Sequence, residues 1–282
     1  MVSSKPDLDR LVLTALEEDL GEHGADVTTE AVVDPELMGE AVVVARKPGV
    51  LAGMNAAGRV FELVRPPSEY HGLLADGAHV EPGDEVARIT GPLASILTAE
   101  RTALNFLQRL SGIATLTRSY VDALAPYSAV RLLDTRKTTP GLRFLERAAV
   151  RAGGGHNHRD GLWDAILIKD NHVAAAGGVT AAIERARRAR MPVEVEVDTL
   201  EQLREALDAG AEIILLDNMS AELMRRSVEM TAGRARLEAS GGMTLEGAVA
   251  AAKAGVDRIS VGALTHSAPA LDLSLEVTKT WR

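Results

Sequence analysis

The sequence predicts an α/β protein with an incomplete α/β barrel of about six parallel strands and a smaller N-terminal α/β sandwich domain. Three observations support this prediction. Short apolar runs alternate with helical stretches between about residues 130 and 264, helix start and stop signals divide these stretches, and polar groups follow almost every apolar run. Such alternation indicates repeated βα units and a parallel sheet. A length of 282 residues is enough for two domains of ordinary size.

The N-terminal domain is predicted to span residues 1–111, including the helix that links it to the barrel. Residues Ala41–Ala45 have the composition of a strand, and the turn-rich stretch 76–84 is typical of a small β sandwich. A helical pattern then extends from Ser95 to about Leu124, and Gly112 is expected to break it.

The barrel is predicted to span residues 112–265, and residues 266–282 are expected to pack back on the N-terminal domain. Within this last segment, Leu271–Trp281 shows an amphipathic helical pattern. The barrel strands should be near-continuous runs of Val, Ile and Leu, because they are covered on both faces. The strands expected from this rule are Val130–Leu133, Ala165–Ile168, Val193–Val197, Ile213–Leu216, Arg236–Ala239 and Arg258–Val261.

Capping signals delimit the helices between these strands. Side-chain hydroxyls that can accept a bond from the first free amides are expected at Thr199, Ser220 and Thr244. Glycines that close a last helical turn in the left-handed conformation are expected at Gly210, Gly233 and Gly255.

Polar residues at the strand ends favour a barrel over an open sheet. A barrel brings the C-termini of all its strands to one mouth, whereas an open sheet spreads them along a crevice. Reactive or phosphate-compatible groups follow the expected strands at Arg136 and Lys137, Lys169, Glu196, Asp217, Ser240–Gly242 and Gly262. We therefore expect these groups to surround one mouth.

Composition excludes several classes of function. A net charge of -9 argues against binding of nucleic acid or of an anionic membrane. The absence of cysteine excludes disulfides, thiolate metal sites and a cysteine nucleophile, and it fits a cytoplasmic location. The N-terminus resembles no signal peptide, and no apolar run approaches the roughly 18 residues of a membrane helix. A soluble, untargeted protein is expected.

A local excess of positive charge stands out in this acidic chain. Residues 131–159 contain seven basic and two acidic side chains. Three of the basic residues, Arg143, Arg147 and Arg151, have the spacing of a solvated helix face.

Four other residues of the same stretch favour ligand binding. Arg136 and Lys137 directly follow a strand, while His158 and Arg159 follow three glycines that allow the backbone to approach a ligand closely. Guanidinium groups suit a planar carboxylate, because two parallel N–H bonds match its two oxygens.

Lys169 has three interpretations from its place at a strand end. It is a Schiff-base nucleophile, a fixed cation for an anionic substrate, or a structural partner of Asp170. The fixed cation ranks first, because a Schiff-base lysine requires an apolar pocket and this mouth is rich in charge.

The carboxylates and glycines at the mouth leave alternatives open. Glu196 and Asp217 suit ribose hydroxyls, Mg²⁺ or acid–base chemistry, but pairing with a helix cation is as good an interpretation. By strand alternation Glu194 and Asp198 share the face of Glu196. The glycines of the last two strand loops suit phosphate binding through backbone amides, although glycine pairs also form plain turns.

Eight segments together resemble the quinolinate phosphoribosyltransferase family, in the order that the family has them. They are ERTALNFLQRLSGIAT from Glu100, DTRKTTPGLR from Asp134, GGGHNHRDGL from Gly153, ILIKDNH from Ile166, EVEVD from Glu194, LLDN from Leu215, SGG from Ser240 and VGALTHS from Val261. Each segment alone is weakly specific, whereas the set is highly specific and spans most of the chain.

The resemblance implies an incomplete barrel, a dimer or larger assembly, and a shared active site to which one subunit offers Arg101 to its neighbour. The residues implied around the quinolinate carboxylates and phosphates are Thr135, Arg136, Lys137, His158, Arg159 and Lys169. Glu196 and Asp217 are implied to face the ribose and Mg²⁺-linked groups, directly or through substrate or water. The implied 5′-phosphate loops are Ser240, Gly241, Gly242, Val261, Gly262 and Ala263.

The implied reaction joins quinolinate to phosphoribosyl pyrophosphate and yields nicotinate mononucleotide, carbon dioxide and pyrophosphate. Lys137, Lys169, Glu196 and Asp217 are the expected catalytic residues, and Mg²⁺ is the expected cofactor. Three alternatives are kept: a relative that acts on another aromatic acid, a Schiff-base aldolase that uses Lys169, and a non-enzymatic nucleotide sensor.

Overall fold

The computed structural model describes residues 8–22 and 24–282, which form two compact units. The first unit contains the described residues up to Arg118 together with Thr139–Gly154 and Ala268–Arg282. The second contains Ser119–Thr138 and Gly155–Ser267. Residues 1–7, for which the sequence predicts no signal peptide, lie outside the described residues.

Helices and strands occupy most of both units. In chain order they are α1 (Leu8–Leu20), α2 (Val27–Val32), β1 (Met38–Ala45), β2 (Gly49–Val50), α3 (Met54–Leu63), β3 (Glu69–Gly72), β4 (His79–Val80), β5 (Glu85–Pro92), α4 (Leu93–Leu124), β6 (Arg131–Leu133), α5 (Arg143–Ala152), β7 (Ile166–Ile168), α6 (Asp170–Ala176), α7 (Val179–Arg187), β8 (Val193–Val197), α8 (Leu200–Asp208), β9 (Ile213–Asp217), α9 (Ala221–Thr231), β10 (Arg236–Ser240), α10 (Leu245–Ala254), β11 (Arg258–Ser260), α11 (Ala263–His266) and β12 (Leu273–Trp281).

The first unit is built on an antiparallel sheet with the strand order β12-β1-β5-β3. The predicted strand at Ala41–Ala45 is confirmed as the buried half of β1. The helix predicted at the C-terminus is wrong, because this segment forms the edge strand β12 and pairs with β1 from Leu273 to Trp281. Leu273, Leu275 and Val277 alternate with polar residues, a period of two that suits a strand with one covered face.

Helix α4 is continuous through Gly112, so the predicted break is wrong. This glycine serves a close approach of two backbone segments instead. A Cβ atom at Gly112 would lie 2.0 Å from the carbonyl oxygen of Pro269. Only a residue without a side chain allows the segment around Pro269 to lie directly against the helix.

The predicted solvated face of α5 is wrong at Arg147. This side chain is buried, whereas Arg143 is half-buried and Arg151 is exposed. Its neighbour Glu146 is also buried and accepts hydrogen bonds from Arg109 at 2.8 Å and from Thr139. The helix therefore uses charged residues on its buried side, where they have hydrogen-bonding partners.

The second unit is the incomplete barrel that the sequence predicts. Its six parallel strands have the order β6-β11-β10-β9-β8-β7, in which chain neighbours lie side by side and β6 returns to pair with β11. The first and last strands of this order, β6 and β7, do not pair with each other, so the barrel is not closed. A single parallel bridge joins Leu133 of β6 to His156, which precedes β7 in the chain. An open doubly wound sheet would instead reverse its strand order at a switch point. All six predicted strands are confirmed to within one residue at each end.

The helix caps of the barrel are confirmed. The hydroxyls of Thr199, Ser220 and Thr244 accept backbone N–H groups three residues ahead. Gly210, Gly233 and Gly255 have positive φ angles of 75°, 76° and 95°. Among the described residues, no helix is long and apolar enough to cross a membrane.

We predict that Gly112→Ala lowers the free energy of unfolding, although alanine is the better helix former by about 1 kcal/mol. Because the new methyl group would overlap the Pro269 carbonyl, we expect a net loss of about 2 kcal/mol or more, measured by urea denaturation.

Gly247→Ala in α10 is the matched control. Its Cβ would meet only the side chains of Met243 and Thr244, at 3.3 and 3.4 Å. This variant should be neutral or stabilised by up to about 1 kcal/mol. Equal stability of the two variants would contradict the account of Gly112.

Candidate active site

A cavity of about 900 Å³ opens at the C-terminal ends of the barrel strands. The strand residues that line it recur with a period of two, at Leu167 and Lys169, Glu196, Leu215 and Asp217, Glu238 and Ser240, and Ser260 and Gly262. Alternate residues of a strand point to the same face, and parallel strands end at the same edge. The cavity is therefore formed by the inward face of the barrel at its mouth.

Most of the site residues predicted within the second unit line this cavity. They are Thr135, Arg136, Lys137, His158, Arg159, Lys169, Glu196, Asp217, Ser240, Gly241, Gly242, Gly262 and Ala263. Val261 does not line it, because its side chain is in the core and its amide donates to the Leu133 carbonyl at 3.0 Å. Arg101 is an exposed residue of α4 in the first unit.

Lys169 forms an ion pair with Glu196 across neighbouring strand ends. The backbone of Lys169 is held where β7 passes into α6, because its amide donates to Nδ1 of His172 at 2.9 Å. The Glu196 carboxylate is largely buried, so it keeps the ammonium group at this place in the wall. A paired ammonium in a charged cavity lacks the apolar surroundings that a Schiff-base lysine requires.

Asp217 is oriented by the residue that follows it. Asn218 has a left-handed backbone with a φ of 52°, and its side-chain amide donates to Oδ2 of Asp217 at 2.7 Å. The backbone amide of Asn218 donates to the Ser240 carbonyl at 3.0 Å, and this bond links the ends of β9 and β10. A Cβ at Gly241 would lie 2.2 Å from Oδ1 of Asn218, so the loop after β10 must carry a glycine there.

Arg136 and Arg159 bring two guanidinium groups together in the cavity wall. Burial lowers the pKa of Arg159, and the positive charge of Arg136 lowers it further. Nη1 of Arg159 donates to the Ala165 carbonyl at 3.1 Å. Nε of Arg136 is buried and has no hydrogen-bond partner among the residues that the structure describes. Two guanidinium groups in one half-buried wall have the chemistry that suits an anion.

Lys137 lies in the loop after β6, and its backbone is fixed on both sides. Its amide donates to Oγ1 of Thr135 at 3.1 Å, and its carbonyl accepts the hydroxyl of Thr265 at 2.8 Å. The aliphatic part of the side chain passes closely over Gly262. The backbone of Lys137 is therefore fixed, whereas its side chain with the ammonium group is exposed.

His158 contacts two buried carboxylates inside the barrel. Its Nε2 lies 3.0 Å from Oε2 of Glu194 and 3.4 Å from Oε1 of Glu238. Burial favours the neutral ring, but the contact with Glu194 and the nearby charge of Glu238 outweigh this effect and raise the pKa of His158 above its ordinary value. Burial raises the pKa of Glu194, and the charge of Glu238 adds to this rise.

Sequence reasoning missed several residues that the fold brings to the cavity. They are Tyr120, Asn218, Glu238, Met243, Thr244 and His266. Glu238 could have been found by strand alternation, because it precedes Ser240 by two residues just as Glu194 precedes Glu196. No local signal identifies Tyr120, which lies in α4 and whose hydroxyl donates to the Met243 carbonyl at 3.4 Å.

Glu196 and Asp217 have the donor chemistry that a Mg²⁺ ion prefers. Both are carboxylates on the cavity wall, at the ends of the adjacent strands β8 and β9. Magnesium is usually held by one or two carboxylates together with water and substrate phosphates. A different group, His158 with Glu194 and Glu238, brings ligand atoms within 4.8 Å of one another deeper in the barrel.

We predict that Gly241→Ala is more destabilising than Gly242→Ala, although both glycines have positive φ angles, of 95° and 51°. A left-handed alanine costs about 1–2 kcal/mol in either place. Gly242 has open space around it, whereas a Cβ at Gly241 would overlap Asn218. We expect an additional loss of about 1–3 kcal/mol for Gly241→Ala in urea denaturation. Equal losses would show that Asn218 moves without cost.

Family models match both parts of the chain. Residues 26–111 match the N-terminal domain of quinolinate phosphoribosyl transferase, and residues 113–276 match its C-terminal domain. A probable nicotinate-nucleotide pyrophosphorylase (carboxylating) of Bacillus subtilis is 45% identical over 264 residues, which cover 93% of this chain and 90% of the relative. The nicotinate-nucleotide pyrophosphorylase (carboxylating) of Mycobacterium leprae is 46% identical over 270 residues, with coverages of 93% and 94%.

Solved structures agree with these matches. The nicotinate-nucleotide pyrophosphorylase of Francisella tularensis is 41% identical, with a TM-score of 0.90 and coverage of 96% of both chains. Human nicotinic acid phosphoribosyltransferase is 14% identical, with a TM-score of 0.67 over 97% of this chain and 74% of that one, so it shares the fold alone. On the two domain matches and the identity with whole-length relatives, the chain belongs to the quinolinate phosphoribosyl transferase family.

Proposed function

We propose that the protein transfers the phosphoribosyl group of phosphoribosyl pyrophosphate to quinolinate, with loss of carbon dioxide and pyrophosphate, to form nicotinate mononucleotide for NAD biosynthesis. The observation that carries this proposal is the pair of guanidinium groups of Arg136 and Arg159 in the cavity wall. The names of the relatives from B. subtilis and M. leprae describe the same reaction in the reverse direction.

The cations of the cavity suit a pyridine ring with two carboxylates. Arg136 and Arg159 repel each other, and a dianion between them would remove that repulsion. A guanidinium binds a carboxylate with two parallel N–H bonds. Lys137 adds an exposed ammonium group that can reach a carboxylate or a phosphate. Quinolinate therefore fits this wall better than an aromatic acid with one carboxylate.

Other residues of the cavity wall suit the phosphoribosyl group. Asp217 and Glu196 are carboxylates of this wall, and hydroxyl groups of a ribose can donate to both. The loop Ser240–Gly242 and the first residues of α10 line the cavity next to them. Backbone amides at a glycine-rich loop and a helix N-terminus are suited to a terminal phosphate.

The reaction requires positioning and charge stabilisation more than proton transfer. Departure of pyrophosphate leaves cationic character at C1 of the ribose, and the pyridine nitrogen attacks from the opposite face. The nitrogen then carries a positive charge, which stabilises the carbanion left when the adjacent carboxylate departs as carbon dioxide. This carbanion takes up a proton from solvent water, which gives the C–H of nicotinate mononucleotide. Decarboxylation therefore follows transfer. The carboxylates of Glu196 and Asp217 in the cavity wall suit the stabilisation of this developing positive charge.

A magnesium requirement and a cytoplasmic location stay predictions. Glu196 and Asp217 are the residues that would hold the ion, and Lys169 competes for Glu196 through its ion pair. When bound, Mg²⁺ would neutralise part of the charge of the pyrophosphate group.

We expect the protein to release carbon dioxide from carboxyl-labelled quinolinate only when phosphoribosyl pyrophosphate is present. Lys137→Ala should lower the release rate by about 100-fold or more, because a cation at the mouth is lost. Lys253→Ala, which removes an exposed lysine of α10 outside the cavity, is the control. Release without phosphoribosyl pyrophosphate would overturn the order of steps, and equal use of nicotinate would overturn the choice of substrate.

We also propose that the active site is shared between subunits of a dimer or larger assembly, to which Arg101 contributes from the neighbouring subunit. Support comes from the family motif that begins at Glu100 and from the exposure of Arg101 on α4.

Mixing inactive Arg101→Ala and Lys169→Ala proteins tests this sharing. In a mixed dimer one of the two sites contains both native residues, so we expect part of the activity to return. Subunit exchange is verified first with differently tagged proteins. Persistent inactivity after verified exchange would contradict a shared site.

A further inference from the structure

The segment 156–159 fills the seam of the barrel and is held by side chains around it. His156 forms the bridge to Leu133 next to β6. The His158 amide donates to Oδ1 of the buried Asp134 at 2.7 Å, and Asn157 donates to Oδ2 of the same carboxylate at 2.6 Å. This segment carries Arg159, so its backbone decides where that guanidinium lies.

The imidazole of His158 joins this segment to two further strands of the barrel. Its Nε2 contacts Glu194 on β8 and Glu238 on β10. Both carboxylates are buried, with 6% and 0% of their surface exposed. Neither oxygen of Glu238 has a hydrogen bond of good geometry among the described residues, and Oε1 of Glu194 has none. A buried carboxylate without hydrogen-bond partners destabilises the fold. Two of them at this place therefore indicate a role other than packing.

The second ring nitrogen of His158, Nδ1, contacts the backbone of the next residue. The backbone amide of Arg159 donates to Nδ1 at 2.7 Å. Both ring nitrogens thus have partners inside the protein. In this conformation the ring connects two buried acids on one side to the peptide unit of Arg159 on the other.

We propose that Glu194 and Glu238 are positioning residues that act through His158 to hold Arg159 in the cavity wall. The inference deepens the proposed function, because it rests on Arg159 as a ligand of the aromatic acid. The same guanidinium is held at its far end by the Ala165 carbonyl. Arg258 on β11 is the further cation whose charge acts on Glu194.

A metal ion is a weaker explanation of the same three side chains. Their ligand atoms lie within 4.8 Å of one another. However, Nε2 carries a proton both in the neutral ring whose Nδ1 accepts the Arg159 amide and in the protonated ring that the two carboxylates favour. A histidine that binds metal through Nε2 usually donates its Nδ1 proton to an acceptor. The arrangement at Nδ1 is the opposite.

The test compares Glu194→Gln and Glu238→Gln with the wild type in steady-state kinetics. Both changes keep the size of the side chain and remove its charge. We expect the KM for quinolinate to rise by about tenfold, while kcat and the KM for phosphoribosyl pyrophosphate change by less than about twofold. Ile183→Val, a small truncation in the core of α7 away from these residues, controls for lost stability.

A double-mutant cycle with Arg159→Ala tests whether the glutamates act through Arg159. If they do, each glutamine substitution should change kcat/KM for quinolinate by less than about twofold in the Arg159→Ala background. Effects of full size in both backgrounds would overturn the proposal. Unchanged kinetics of both folded single variants would also overturn it, as would a stoichiometric metal ion that wild type contains and Glu238→Gln lacks.

Nuclear magnetic resonance of wild-type protein with ¹⁵N-labelled histidine keeps the proposal testable if the variants fail to fold. We expect a His158 Nε2–H signal that is protected from solvent exchange, and its absence would overturn the proposal. Failure of the proposed function is distinguishable, because wild-type protein would then fail to convert quinolinate at all.

Discussion

The parallel ladder of the barrel is the constraint on which the site depends. Glu196 pairs in register with Leu215, and Leu215 pairs with Glu238, so these side chains point to the same inward face. A slip of one residue in any of these pairs would turn the polar side chains towards the outer helices and the apolar ones into the cavity. Because all strands are parallel, the groups at their ends also meet at one mouth.

Several side chains at this mouth have a charge opposite in sign to the net charge of the chain. The protein as a whole carries -9, yet Arg136 and Arg159 both line the cavity, where burial and the charge of Arg136 lower the pKa of Arg159. Lys169 is paired with Glu196, and Arg136, Arg159 and Lys137 are further cations of the cavity wall. An acidic protein thus carries a cluster of cations in the wall of this cavity, and hydrogen bonds hold the backbone of Lys137 on both sides.

Interpretations from the sequence failed where a distant segment decided the outcome. Gly112 has the local meaning of a helix break, but the carbonyl of Pro269 approaches the helix at that point. The C-terminal segment has an ambiguous apolar pattern, and pairing with β1 makes it a strand. Val261 belongs to the segment expected to form a phosphate loop, but its backbone amide donates to the Leu133 carbonyl of β6. In each case the deciding partner lies far away in the chain, so no local pattern contains it.

The sequence by itself determined the order of strands and helices in the barrel, the caps of the barrel helices and the residue types at the strand ends, because these depend on periodicity and on neighbours within about four residues. Tertiary structure alone decided which of these groups act on one another. The contact of His158 with Glu194 and Glu238 joins three separate segments, and the pairing of Lys169 with Glu196 joins two. Such contacts depend on the parallel pairing and the curvature of the sheet, because these bring the inward-facing side chains of different strands together.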